Sequence, residues 1–227
     1  MEPRLTGLLQ AIVEEYIETA QPVGSQHLVE RHKLGVSSAT IRNWCAELEA
    51  AGCLMQPHTS GGRIPTEEGF RIYVAEFVEI KPAHKRERET LERAYQVNTD
   101  EERRLKALAK TLADLSGQAV IVGSGEADTY YTGLSQLFAQ PEFRNWQQVV
   151  SLTEVLDRLD EALNAVRQTK IQEPTVLLGH ACPFGPSCAT VLVTVPSGLI
   201  GILGPIRMDY VQAVSLMSSA FHLLSSR

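Results

Sequence analysis

Leu5, Leu8, Leu9, Ile12, Val13, Tyr16 and Ile17 recur at the spacing of one helix face, which predicts a helix over residues 4–20. "QPVGS" interrupts it, and Ser25 can accept a backbone N–H to open a second, short helix through Leu28 to Arg31. After the turn "HKLGVSS", Ile41, Trp44, Cys45 and Leu48 share the inward side of a third helix. It opens at Ser37 or Ser38 and stops at Gly52, where glycine tolerates a left-handed backbone. "CLMQP" and "RIP" read as short strands flanking the loop "HTSGGR". Thr66 then caps a further helix with Glu67 and Glu68 in its first turn and Phe70, Tyr73, Val74, Phe77 and Val78 on its apolar side. Helix, helix, turn, helix, strand, loop, strand is the order of a winged helix-turn-helix domain, placed at residues 1–80.

The pattern then changes in kind. Residues 81–110 are charged with few apolar anchors, and "TDEE" from Thr99 to Glu102 is a capping box that opens a second helical segment. Leu105, Leu108, Leu112 and Leu115 recur at alternating three- and four-residue steps. Such a seam fits a partner helix in a dimer, or the core of its own domain, and spacing leaves both open. Residues 81–115 therefore read as a charged helical linker with a candidate dimerisation seam.

Over residues 116–227, "QAVIVG" is a buried strand, "SGEADTYYTG" a loop and "LSQLFAQ" a helical turn. Residues 148–168 are amphipathic, with Val155, Leu156, Leu159 and Leu163 on one side. "PTVLLG" and "ATVLVTV" are strands, and "PSG" turns the latter into "LIGILG" as an antiparallel hairpin. Pro205 suits the first turn of a last helix. The chain as a whole reads as α+β, with a C-terminal half, residues 116–227, of α/β or α+β character.

The formal net charge of -6 over 227 residues gives no global basic field to attract nucleic acid, so any DNA binding must rest on local charge. No apolar run is long enough to cross a bilayer, and the N-terminus lacks the layout of a signal peptide. A cytoplasmic protein with no membrane partner is expected. Cys45, Cys53, Cys182 and Cys188 read as thiols in a reducing compartment. His180 precedes the Cys182–Cys188 stretch, but the pair lacks the spacing of a metal knuckle, so neither metal nor cofactor is expected.

The third helix carries the chemistry. Opposite its core side it presents Ala39, Asn43, Ala46 and Ala50, with Ser38 and Arg42 along one flank and Thr40 off the other. A helix without bulky side chains can sink into the major groove, where Asn pairs with adenine and Arg with guanine or phosphate. The polar residues crowd its N-terminal half, the end that a recognition helix points at the bases. Arg31, Lys33, Arg42 and Arg63 outnumber Glu30, Glu47 and Glu49 around it. The loop offers His58, Thr59, Ser60 and Arg63 with no acid among them, which suits a wing on the sugar-phosphate backbone or minor groove.

"AIVEEYIETAQPVGSQHL", "LGVSSATIRNWCAELEAAG", "QPHTSGGRIPTEEGFRIYV", "TGLSQLFAQPEF" and "GILGPIRMDYVQAV" resemble the HrcA family of bacterial heat-inducible transcription repressors, in order and over both halves. The resemblance implies a homodimeric repressor bound to an inverted-repeat operator in double-stranded DNA upstream of chaperone genes. It also implies a GAF-like C-terminal domain and assistance from a GroE-type chaperonin. Residue by residue it places Ser37, Ser38, Thr40, Arg42 and Asn43 on the recognition helix, and His58, Thr59, Ser60 and Arg63 on the wing. Trp44 and Cys45 depart from the family's usual acid and methionine. Only "SGEAD" joins "QAVIVG" to "YYTGLSQLF", where the family carries a long stretch, so residues 116–227 are expected to form a reduced GAF-like regulatory and dimerisation domain. The leucine seam and the last helix are then expected to take over more of the self-association.

Two other classes compete. An enzyme would need a nucleophile with a base at usable spacing or a phosphate loop before a helix, and "GPIRMDY", "GSGEAD" and "GHACPFGPSC" supply neither, so no catalytic residue is assigned. "GPIRMDY" reads instead as a strand-to-helix turn, with Asp209 at the helix start and Arg207 in a structural ion pair. A winged helix used for protein contacts, with a ligand sensor behind it, is the alternative function. Salt dependence separates it from a phosphate-driven binder.

Overall fold

The computed structural model describes residues 1–32, 35–57, 61–97, 99–124, 128–144, 166, 171–196 and 198–225. They divide into two compact units, Met1–Val78 and Glu79–Arg227.

The first unit runs α1 (Pro3–Thr19), α2 (Ser25–His32), α3 (Ser38–Ala50), β1 (Leu54–Met55), β2 (Ile64–Pro65) and α4 (Glu67–Phe77), the order read from the pattern. Pro3 opens α1, where a missing N–H costs nothing, and Ala20 closes it in a left-handed conformation. Leu8, Leu9, Ile12 and Val13 of α1, Leu28 of α2, Ile41 and Leu48 of α3 and Phe70 of α4 are all at most 1% exposed. Each such side chain contributes roughly 1.5–3 kcal/mol of transfer free energy, and together they fix the angles between the helices. β1 and β2 pair antiparallel, Leu54 opposite Pro65 and Met55 opposite Ile64. Thr66 Oγ1 accepts from the Gly69 amide at 3.1 Å and caps α4.

The second unit begins with α5 (Lys85–Gln96) and α6 (Glu101–Ser116). Asp100, not Thr99, caps α6, its side chain accepting from the Arg103 amide at 2.9 Å. A five-stranded antiparallel sheet follows, in the order β4-β3-β7-β6-β5. Its strands are β3 (Ala119–Ser124), β4 (Asp128–Thr132), β5 (Thr175–Leu178), β6 (Cys188–Val195) and β7 (Gly198–Pro205). β4 occupies a stretch expected as loop: the run Thr129–Thr132 consists of β-forming residues that the preceding Gly and Asp disguise. α7 (Leu134–Phe138) and α8 (Tyr210–Ser225) complete the described elements. Pro205 ends β7 rather than opening α8, and Asp209 caps the helix by accepting from the Gln212 amide at 2.9 Å.

Ile121, Leu192, Leu199 and Leu203 line one face of the sheet and pack with Leu137, Phe143 and Phe184. Alternation puts Val120, Val122, Val191, Val193, Ile200 and Ile202 on the other face, where α6 and α8 lie. Gly201 lies at the centre, where a Cβ would stand 2.2 Å from Leu192 Cδ2 and force that side chain to shift. Leu105, Leu108 and Leu112 are 2%, 0% and 0% exposed within the chain itself, and Leu115 is half-buried. The leucine seam is thus closed in a single copy: its own core covers the residues expected to meet a partner helix. The amphipathic run at 148–168 lies outside the described residues except for buried Val166.

Candidate nucleic-acid interface

α3 is built to expose its small-residue side. Ser37 caps it, Oγ accepting from the Thr40 amide at 3.1 Å and contacting Thr40 Oγ1 at 3.0 Å, so both residues serve the helix start as well as the surface. Ile41, Cys45 and Leu48 are buried, while Ala39, Asn43, Ala46 and Ala50 are exposed. Arg42 is exposed beside them, and Ser38, half-buried, accepts from Arg42 Nε through its carbonyl at 3.3 Å. That bond leans the arginine toward the N-terminal end of α3. Trp44 departs from its expected core position. It is half-buried, with the Arg4 guanidinium 5.6 Å above its ring.

The loop between β1 and β2 is tied at its second stem. Val23 and Arg63 exchange backbone hydrogen bonds of 2.8 and 2.9 Å, a bridge joining the end of the α1–α2 turn to β2. Gly62 makes this approach possible, because a Cβ there would lie 2.5 Å from the Val23 carbonyl carbon and oxygen. Gln56 Nε2 donates to Gly61 O at 3.3 Å across the loop. The sequence places Arg63 on the wing, in a loop with no acid of its own. Its Nε instead stands 2.6 Å from Glu49 Oε1, with the side chain 22% exposed. His58, Thr59 and Ser60 lie outside the described residues. A cleft of about 540 Å³ runs between this loop and α2 and α3, bordered by Ser25, Gln26, Arg42, Gln56 and Arg63.

The local charge differs from the residue count. Arg31 does not face outward as a free cation: it lies 3.1 Å from Glu15 and 2.5 Å from Glu18. Glu15, 4% exposed on α1, also accepts from His27 Nε2 at 2.8 Å and stands 3.6 Å from His32 Nε2. Burial pushes its carboxyl pKa up, but the hydrogen bond and charge of His27 and the charge of Arg31 outweigh that and hold it below the ordinary 4.5. Sequence reasoning missed this cluster, although His27 and Arg31 stand four residues apart on α2 and so share one face of it. It also missed Arg4, whose link to Glu47 spans forty-three residues and leaves no local signal. Burial pushes Cys45 up to about 11 and Cys182 and Cys188 up to about 12, so these thiols stay protonated and unreactive. Among the described residues no group of three His, Cys, Asp or Glu side chains could hold a metal ion, and no helix is long and apolar enough to cross a membrane.

Residues 74–214 match the family model described as the HrcA protein C terminal domain. The chain belongs to the HrcA family. The heat-inducible transcription repressor HrcA of Arthrobacter sp. (strain FB24) is 45% identical over 121 residues, covering 53% of this chain and 36% of that protein. The repressor of the same name from Mycobacterium sp. (strain KMS) is 37% identical over 175 residues, covering 77% and 50%. The chain thus spans about half the length, or less, of these HrcA relatives. One solved structure, a hypothetical protein at 2.2 Å resolution, shares the fold with a TM-score of 0.73 at 18% identity, covering 99% of this chain and 96% of that one.

Proposed function

We propose that Met1–Val78 is a winged helix-turn-helix domain that binds double-stranded DNA, and that the protein is a transcriptional repressor of heat-shock genes. The observation that carries this reading is the exposed face of α3, where Ala39, Asn43, Ala46 and Ala50 form a smooth ridge with Arg42 at its flank. A ridge without bulky side chains enters the major groove. Ser37, Ser38, Thr40, Arg42 and Asn43 occupy its base-facing end, and His58, Thr59 and Ser60 belong to the wing. The names of the HrcA relatives from Arthrobacter and Mycobacterium support the regulatory role.

In this reading Glu79–Arg227 is the reduced GAF-like regulatory and dimerisation domain, with α5 and α6 as part of it. A homodimer matches an inverted-repeat operator, since each recognition helix reads one half-site. Because Leu105, Leu108 and Leu112 are already buried in one copy, self-association falls to other surfaces of that unit. The reading places the protein in the cytoplasm, with a GroE-type chaperonin as the partner that maintains its DNA-competent state.

Selection of bound duplexes from a random pool by the full chain tests the proposal. The expected product is an inverted repeat whose binding weakens steeply as salt rises. Absence of duplex binding even at low salt overturns it and favours a winged helix used for protein contacts.

A further inference from the structure

We infer that Arg4 and Arg63 are positioning residues for DNA binding: they cancel the carboxylates of Glu47 and Glu49 on α3 and fix its seat, rather than contacting the duplex. This rests on the DNA-binding reading above. Glu47 follows Asn43 by four residues, so it lies on the same outer stripe about 6 Å further along the helix. Left bare, it would stand between the two phosphate walls of a major groove. Arg4, from α1, brings Nη2 to 3.1 Å from Glu47 Oε2 while its guanidinium covers Trp44 and its Nε takes Glu2 at 2.8 Å. Arg63, immediately before β2, brings Nε to 2.6 Å from Glu49 Oε1, and its backbone is held in the bridge to Val23.

Two arginines from different elements thus each engage one of the two acids of α3. Arg63 is the better fixed of the two, at 22% exposure against 43% for Arg4, and its Nη1 already points at Gly61 O, 3.4 Å away. A guanidinium charge held against a carboxylate is largely neutralised and adds little pull on phosphate. With both acids answered, Arg42 supplies the uncompensated charge of the α3 surface.

Band shifts with the full chain on operator and random duplexes test this. An unanswered carboxylate some 8 Å from phosphate weakens binding about three- to fivefold, and it does so on every sequence. Arg63→Met is therefore expected to lose that factor on both duplexes, and Glu49→Gln in the same chain to restore it, with the salt slope unchanged throughout. Arg4→Met and Glu47→Gln should behave as the same kind of pair. If Arg63 contacts phosphate itself, the double variant stays as weak as Arg63→Met and the salt slope falls by about one, which overturns the inference. Should Arg63→Met fail to fold, Arg63→Gln, which keeps a polar side chain beside the bridge to Val23, replaces it in the same pair of variants with the same two outcomes. Failure of wild type to bind any duplex is a separate outcome, and it removes the DNA-binding reading together with what rests on it.

Discussion

Glu15→Gln is the perturbation whose size follows most directly from the structure. The carboxylate is 4% exposed and accepts from His27 at 2.8 Å and Arg31 at 3.1 Å, joining α1 to α2. Hydrogen bonds to buried charged groups contribute about 1.5–3 kcal/mol. Here the two donors are 50% and 43% exposed and can turn to water, so solvent screening reduces the loss to roughly 1–3 kcal/mol in total. For a unit the size of Met1–Val78 that lowers the melting temperature by roughly 5–15 °C. The sign of the pH dependence follows from the direction of the shift. Glu15 has a folded-state pKa below its ordinary 4.5, so its contribution is fully present above that value and disappears as pH falls through the lower, folded-state one. Trp44 fluorescence in a Trp146→Phe chain reports the first unit. The gap between wild type and Glu15→Gln should hold steady from pH 5.5 down to about 4.5 and close below it. A gap absent at pH 5.5, or unchanged at pH 3, refutes the reasoning.

The remaining predictions concern the interface and the second core. Arg42→Ala and Asn43→Ala should each cost about 1–3 kcal/mol in operator binding by band-shift titration, and equal losses on operator and random DNA for Asn43→Ala would reject its base-reading role. Gly62→Ala forces a methyl group onto the Val23 carbonyl and should destabilise the first unit by about 1–3 kcal/mol. An unchanged Trp44 melting curve would contradict that. Leu108→Ala should cost about 2–5 kcal/mol of stability in the second unit, measured by urea unfolding, because the side chain is fully buried. Loss of self-association at unchanged stability would return the leucine seam to an interface role.

What the sequence revealed and what it hid divide along range. Periodicity and caps are local, so Ser37, Thr66 and the apolar faces of α1, α3 and α4 could be placed from spacing alone. β4 was hidden because a five-residue edge strand has too few alternations to outweigh the Gly and Asp before it. The leucine seam was ambiguous for a different reason. Steps of three and four residues describe any helix with one buried side, and only the sheet beneath α6 decides what covers it. The pairings of Arg4 with Glu47, Arg63 with Glu49 and Arg31 with Glu15 join separate elements, so a count of charges along the chain could not foresee them.

Those pairings change how an acidic protein can be suited to DNA. Counting residues suggested four cations outnumbering three acids around α3, a small excess spread over the turn, helix and loop. In the folded unit Arg31 is held by Glu15 and Glu18, Arg63 by Glu49, and Arg71 of α4 by Glu67 and Glu68, each pair within 3.1 Å. Glu47 and Glu49 are therefore met inside the protein, and of the cations counted from the sequence Arg31 and Arg63 are committed to carboxylates. What remains at the smooth face is shape, the Asn43 amide and Arg42. Long-range attraction from so little free charge is weak. On the DNA-binding reading proposed above, affinity would then come from close fit in the groove and from two copies binding together, which would make dimerisation a condition of operator binding rather than an accessory to it.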